Sequence, residues 1–531
     1  MKFVKAARPV IMGANGMVSC GHHLAALAGV NVLREGGNAV DAALAAAFVM
    51  AVVKPEASGV GGDLFALLYM KKTGKVEAIN SSGPAPAKAS IEYFRERGLK
   101  TIPQSGPLSI AVPGAVDGWL ELHKKYATKE LARLMSDAIR IAREGFPISQ
   151  EFGETIEELS SESPWVDRCY RQPLGAVTPG KILRQKGLGD VLEKIAQKGR
   201  DGFYAGEVAE KICATVKGEG GILDIEDLQP IVCQWLEPLS STYRDLVVFE
   251  QPPVSQGFIV LEMLNIVEAW PFHDMSQADM LHYQVAAKKL AFEDRIRYLE
   301  DPRFGDPKIS TLISKEYAAK RRDLVDDIMN RPPANVANLG GDTTYLCATD
   351  RDGNAISFIQ SVFAAFGSRV IGGDSGVVMN NRLCSFGLDP SKANSLKPGK
   401  RPAHTLNAYM IFHGKEVFAV GGSPGADEQP QTNFQIIHDL VDLHMDPQSA
   451  VEAPRWSHRP GTPPRDQSPE ALRLEEGYDQ ATVDSLRKRG HKVSVVDRWS
   501  FGSAKVIVRD AENGCWLGGA DPRRLAYALG Y

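Results

Sequence analysis

RPPANVANLGGDTTYLCATDRDGNAISFIQS, residues 331–361, is the stretch that decides the fold. Arg331 to Asp342 holds two prolines, two glycines and two asparagines with little apolar bulk, the composition of an exposed, extended linker. Thr343 then opens TTYLCATD, and NAISFIQS follows a turn containing Asp352-Gly353. Two apolar, β-rich runs joined in this way predict a β-hairpin. A Thr-Thr pair therefore starts a strand directly behind a linker.

Upstream, His22 to Arg34 carries Leu24, Leu27, Ala28 and Val32 near helical spacing and stops at Gly36-Gly37. Asn38 caps a second helix, Ala39 to Val53, which is apolar on every face. A helix of that kind must be enclosed by other layers, so a large sandwiched domain is expected. Gly59 to Gly62 gives a turn and Leu64 to Met70 a buried strand, and Glu130 to Asp326 reads as mostly helical. Downstream, strands are expected at Val377–Met379, Thr405–Phe412 and Glu416–Val420, then a helix near Thr432 to Leu443. Val493–Val495 and Ala504–Val508 are expected to close the chain as a strand pair. Two portions meet near residue 342 and feed one α/β core.

The 531 residues carry 61 Lys+Arg against 65 Asp+Glu, so no electrostatic footprint points to nucleic acid or an anionic membrane. At 44% hydrophobic and 24% charged, the chain is not intrinsically disordered. The longest strongly apolar run, Ala42 to Val53, falls well short of the roughly 20 residues that span a bilayer. The opening MKFVKAARPVIMGANG has no apolar signal region, and the seven cysteines form no CxxC pair. A reducing, cytoplasmic location is the expectation. Neither the cysteines nor the histidines show metal-ligand spacing, so no metal is implied.

Two residues are candidate nucleophiles. Gly421 to Gly425 reads GGSPG, which fits the G-x-S-x-G elbow of an α/β-hydrolase with Ser423 attacking and Asp446 with His458 or His491 downstream. Against it stands Pro424, which lacks the N–H that should follow the nucleophile and help form the oxyanion hole. A Gly-rich turn presenting the N–H groups of Gly425 and Ala426 is the plainer reading. The second candidate is Thr343. As a new N-terminus its own α-amine, with an ordinary pKa of about 7.7–8.0, would take the hydroxyl proton.

From GMVSCGHHLAALAGVNVLREGGNAVDAALA onward the chain resembles the γ-glutamyltransferase family of N-terminal-nucleophile hydrolases. The resemblance recurs in KPEASGVGGDLF, VPGAVDGWLELHKKY, PPVSQG, LAFEDRIRYLEDP, GDTTYL, VVMNN, VGGSPG and GGADPRRL, in the family's order. It implies a four-layer αββα sandwich and a proenzyme that cleaves itself between Asp342 and Thr343. The products would be a large subunit, residues 1–342, and a small one, residues 343–531, which stay together as one catalytic unit. Thr343 would attack an amide carbonyl, Ser361 would support its amine in the place of a usual threonine, and Gly425 and Ala426 would supply the oxyanion donors. No organic cofactor is implied, and association of such units into a dimer is left open.

The departures from the family concern the substrate. Glutathione-processing members hold the α-carboxylate with an arginine where this chain has Ser82, and the α-amino group with an aspartate where it has Ser385. An asparagine of the family is Phe363, and its serine pair is His404-Thr405. Losing both ends of such a clamp forfeits about 10²–10⁴ in affinity, at roughly 1.5–3 kcal/mol for each charge-assisted bond. Arg382, where glutamine or glutamate is usual, adds a positive charge that fits either a surface salt bridge or a bidentate clamp for an acidic substrate group. The segment between Ser385 and Arg401 is also shorter than in members with a lid loop, which favours water over an acceptor amine. The pattern looks more like the small-amide amidohydrolase branch, oxamate amidohydrolase among it. A small amide bearing a carboxylate, recognised by Arg382 with His404, is therefore the expected partner. The alternatives are a true γ-glutamyl hydrolase or transferase acting on glutathione, and a binding protein without turnover.

Overall fold

The computed structural model describes residues 6–330, 342–460 and 469–531. The expected linker therefore lies outside the described residues, apart from Asp342, which begins a strand. That strand, Asp342–Asp350, and its hairpin partner Ala355–Phe363 occupy the middle of a seven-stranded antiparallel sheet. Gly16–Cys20 and then Tyr527–Gly530 flank the hairpin on one side; Asp63–Met70, Lys75–Ser81 and Gln234–Leu236 flank it on the other. Residues before and after 342 are thus interleaved in one sheet. Gly353, at φ +85°, makes the hairpin turn, and a register shift between Asp342 and Thr344 bulges the strand where it begins.

A second seven-stranded antiparallel sheet lies face to face with the first. Its order is Ile11–Gly13, Cys515–Ala520, Lys505–Asp510, Glu416–Gly422, Ala408–His413, Leu246–Glu250 and Leu239–Tyr243. Phe65, Leu67, Tyr345, Cys347 and Ile359 from one sheet pack between the layers on Ala408, Met410, Val420 and Ile507 from the other. Strand alternation sends the neighbouring side chains outward, onto helices. On the first sheet these include His23–Arg34 and Ala39–Val53. On the second they include Phe258–Val267, Gln277–Tyr298 and Gln429–Val441. The architecture is the αββα sandwich.

Every residue of Ala39–Val53 is buried. The Asn38 side chain accepts from the Val40 and Asp41 amides while Asp41 returns a bond to the Asn38 amide, so both orphan ends of the first turn are met. Two expectations fail downstream. Val377–Met379 forms only isolated bridges, Val378 to Ile371 and Met379 to Gly61, and both of those partners lie outside any strand. Val493–Val496 does not pair with the Lys505–Asp510 strand. It joins Ala471–Glu475 in a separate three-stranded sheet, while Lys505–Asp510 is taken up by the large sheet.

Candidate active site

The candidate nucleophile sits at the head of its strand and is almost enclosed, with Thr343 4% exposed. Its Oγ1 donates to Ser361 Oγ at 3.1 Å, and the same oxygen accepts the Phe363 amide at 2.7 Å. The second bond holds Phe363 at φ +85°, an unusual backbone for a residue with a Cβ. Ser361 is the direct cross-strand partner of Asp63, so three strand ends bring Thr343, Ser361 and Asp63 into one row.

Asp63 is wholly buried and collects three donors. Oδ1 accepts the Gly83 amide at 3.1 Å, and Oδ2 accepts Arg382 Nε at 3.0 Å and His404 Nε2 at 3.1 Å. Burial alone would raise its pKa, but the His404 bond, the Arg382 charge and the Gly83 amide outweigh burial and hold it below the usual range. Burial, reinforced by Arg382, pushes His404 down to about 4. Its Nδ1 accepts the Leu406 amide at 3.3 Å, so the neutral ring carries its proton on Nε2 and gives it to Asp63.

Arg382 is fully enclosed. The Phe363 ring lies 4.0 Å from its Cζ, Nη1 reaches Thr405 Oγ1 at 3.4 Å, and Nη2 has no partner among the described residues. Burial lowers its pKa, and Asp63 offsets its charge. Phe363 in turn packs on Phe386, Leu388 and Leu396 from the short segment after Ser385. Ser82 is also enclosed, donating to Asn80 Oδ1 at 2.7 Å and giving its carbonyl to Arg401. Thr405 and Ser385 are half-buried, so of the six candidate substrate contacts these two keep surface for a ligand. The sequence reading missed Asp63. An acidic residue at the head of the wholly apolar run LFALLYM was the signal available, since a buried carboxylate must have partners.

Gly425 and Ala426 form the turn after Glu416–Gly422, at φ +126° and +48°, and neither amide donates to any described residue. The turn comes close to the first sheet because Gly422 has no side chain: a Cβ there would stand 2.5 Å from the Tyr345 ring. Ser423, by contrast, is fully buried and donates to Asn433 Oδ1 at 3.1 Å. Asp446 caps Pro447–Glu452, His458 faces Glu470, and His491 meets His282. No Ser-His-Asp relay is assembled among the described residues. No disulfide joins any of the seven cysteines, no group of described residues could hold a metal ion, and no helix among them is long and apolar enough to cross a membrane.

A model of the family described as gamma-glutamyltranspeptidase matches residues 25–531. The chain is 36% identical to the glutathione hydrolase-like YwrD proenzyme of Bacillus subtilis, over 98% of this chain and 99% of that protein. It is 34% identical to the oxamate amidohydrolase proenzyme of Klebsiella pneumoniae, with the same coverage. The crystal structure of a cephalosporin acylase from Bacillus halodurans superposes with a TM-score of 0.90 at 34% identity, over 99% of this chain and 98% of that one.

Proposed function

Since the chain belongs to the gamma-glutamyltranspeptidase family and is a self-processing amidohydrolase of it, we propose that Thr343 is its nucleophile and that small amides bearing a carboxylate are its substrates. Cleavage of the Asp342–Thr343 bond gives large and small subunits, residues 1–342 and 343–531, and frees the Thr343 α-amine. The amine takes the hydroxyl proton as Oγ1 adds to the amide carbonyl, whose oxygen becomes an oxyanion facing the Gly425 and Ala426 amides. Collapse expels the amine leaving group with that proton and leaves an ester on Thr343. Water, deprotonated by the same α-amine, adds to the ester, releases the acid and restores the hydroxyl. The observation that carries this reading is the Thr343–Ser361 hydroxyl pair, 3.1 Å apart at the head of the strand.

Ser82 and Ser385 support an acid amide that lacks an α-amino group, such as the oxamate for which one relative is named. Arg382 is enclosed, and Asp63 balances its charge. Its part is therefore to polarise Thr405, the half-buried hydroxyl that meets the substrate. A second reading, hydrolysis of γ-glutamyl amides, draws on the relative named as glutathione hydrolase-like.

The test is the intact mass of the purified protein beside its Thr343→Ala variant, followed by a panel of oxamate, glutaryl and γ-glutamyl amides. Wild type should split at Asp342/Thr343 and the variant should stay whole. Two whole chains after long incubation would end the nucleophile assignment, and ordinary turnover of γ-glutamyl-p-nitroanilide would select the second reading.

A further inference from the structure

Gln256 lies between the strand Leu246–Glu250 and the helix Phe258–Val267 and is wholly buried. Its backbone amide donates to the His404 carbonyl at 3.1 Å. Its side-chain Nε2 donates to the Thr405 carbonyl at 2.6 Å and the Ala426 carbonyl at 3.2 Å. One carboxamide therefore divides its two protons between the segment that carries the candidate substrate contacts and the turn that carries the candidate oxyanion donors.

The orientation of that carboxamide is fixed from behind. Gln256 Oε1 accepts Arg295 Nη1, and Arg295 Nη2 donates to Asp427 Oδ1 at 2.6 Å. Flipping the amide would turn its oxygen onto two carbonyl oxygens and its N–H groups onto a guanidinium, so Arg295 admits one orientation alone. The same arginine holds the residue after Ala426. Restraint is needed here, because Ala426 sits at φ +48° and a left-handed alanine persists only where its surroundings over-determine it.

We propose that Gln256, oriented by Arg295, is the positioning residue that holds the Gly425–Ala426 amides in register with Thr405. Charge stabilisation and substrate recognition are then set by one side chain. The proposal rests on the reading that those two amides receive the oxyanion.

Gln256→Glu is the discriminating variant. It keeps the volume and the pairing with Arg295, but it faces two carbonyls with an oxygen that cannot donate. With the amide that wild type hydrolyses best, kcat should fall by about thirtyfold or more, because displacing aligned donors by a fraction of an ångström is that costly. The thermal midpoint should stay near that of wild type. A packing role alone would leave kcat unchanged, so a folded Gln256→Glu protein with kcat within about threefold of wild type overturns the proposal. If that variant does not fold, Gln256→Met and Arg295→Lys are judged by the same kcat criterion. Thr343→Ala is run in parallel: turnover by it would remove the underlying reading, whereas a dead Thr343→Ala beside an active Gln256→Glu removes the positioning proposal alone.

Discussion

Ser361 and Asp63 stand directly opposite each other on neighbouring strands, Ser361 taking the Thr343 hydroxyl and Asp63 taking Arg382 and His404. The proposed reacting end and the proposed recognition end of the site therefore meet at one cross-strand pair. Neither half can move without bending two strands of a sheet that is packed on both faces.

Ser361→Ala removes the acceptor for both Thr343 Oγ1 and the strained Phe363 amide. Each lost bond is worth about 1 kcal/mol or somewhat more, so kcat on a hydrolysed amide should fall by about ten- to a hundredfold. Ser361→Thr, which keeps the hydroxyl, should remain within a few fold. Steady-state rates on chains whose cleavage has been checked by gel would decide it; equal loss in both variants would show that the hydroxyl is not what matters.

Asp63→Asn turns a buried acceptor of three bonds toward Arg382 and His404 with an amide that cannot neutralise the guanidinium. Breaking a buried pair from one side costs about 3–5 kcal/mol. A marked drop in thermal midpoint is expected, whereas Asp63→Asn combined with Arg382→Met should be less harmful than the sum of the two single changes. Strict additivity in that cycle would mean the pair is not coupled.

The layers were legible in the sequence because their signals are local. An all-apolar helix at 39–53 demands enclosure, and TTYLCATD-RDG-NAISFIQS demands a hairpin. The run Val493–Val495 was read correctly as a strand, but which strand it joins is a long-range choice that no local pattern encodes, and it pairs with Ala471–Glu475. Thr343 and the Gly425–Ala426 turn stand out as candidates from a strand start and from turn chemistry, whereas Ser361 enters only through the resemblance to the family. The roles of Arg382 and His404 were not legible, since both depend on Asp63, more than 300 residues earlier in the chain. Gln256, Arg295 and Asp427 meet only through the packing of a loop, a helix and a turn.

Ser423→Ala separates the two candidate nucleophiles. The hydroxyl is fully buried and donates only to Asn433, so its loss should cost about 1 kcal/mol of stability and leave self-cleavage and kcat within about twofold. Abolished turnover with normal cleavage would revive the serine elbow.

His404 should mark the acid side of the stability profile. In the unfolded chain it titrates near 6.5, and in the folded one burial holds it at about 4. Between those values the unfolded state binds the extra proton, so stability rises with pH through the window and is lost as pH falls from 6.5 toward 4. At about 1.4 kcal/mol for each unit, the contribution lost is about 3 kcal/mol. His22 and His458, held at about 3, and His491, at about 4, act with the same sign, so the wild-type slope is steeper than His404 alone would give. His404→Gln keeps an N–H for Asp63 but does not titrate. The difference in thermal midpoint between wild type and this variant should therefore shrink from pH 7 to pH 4.5. Two parallel curves would mean that His404 carries the same proton in both states.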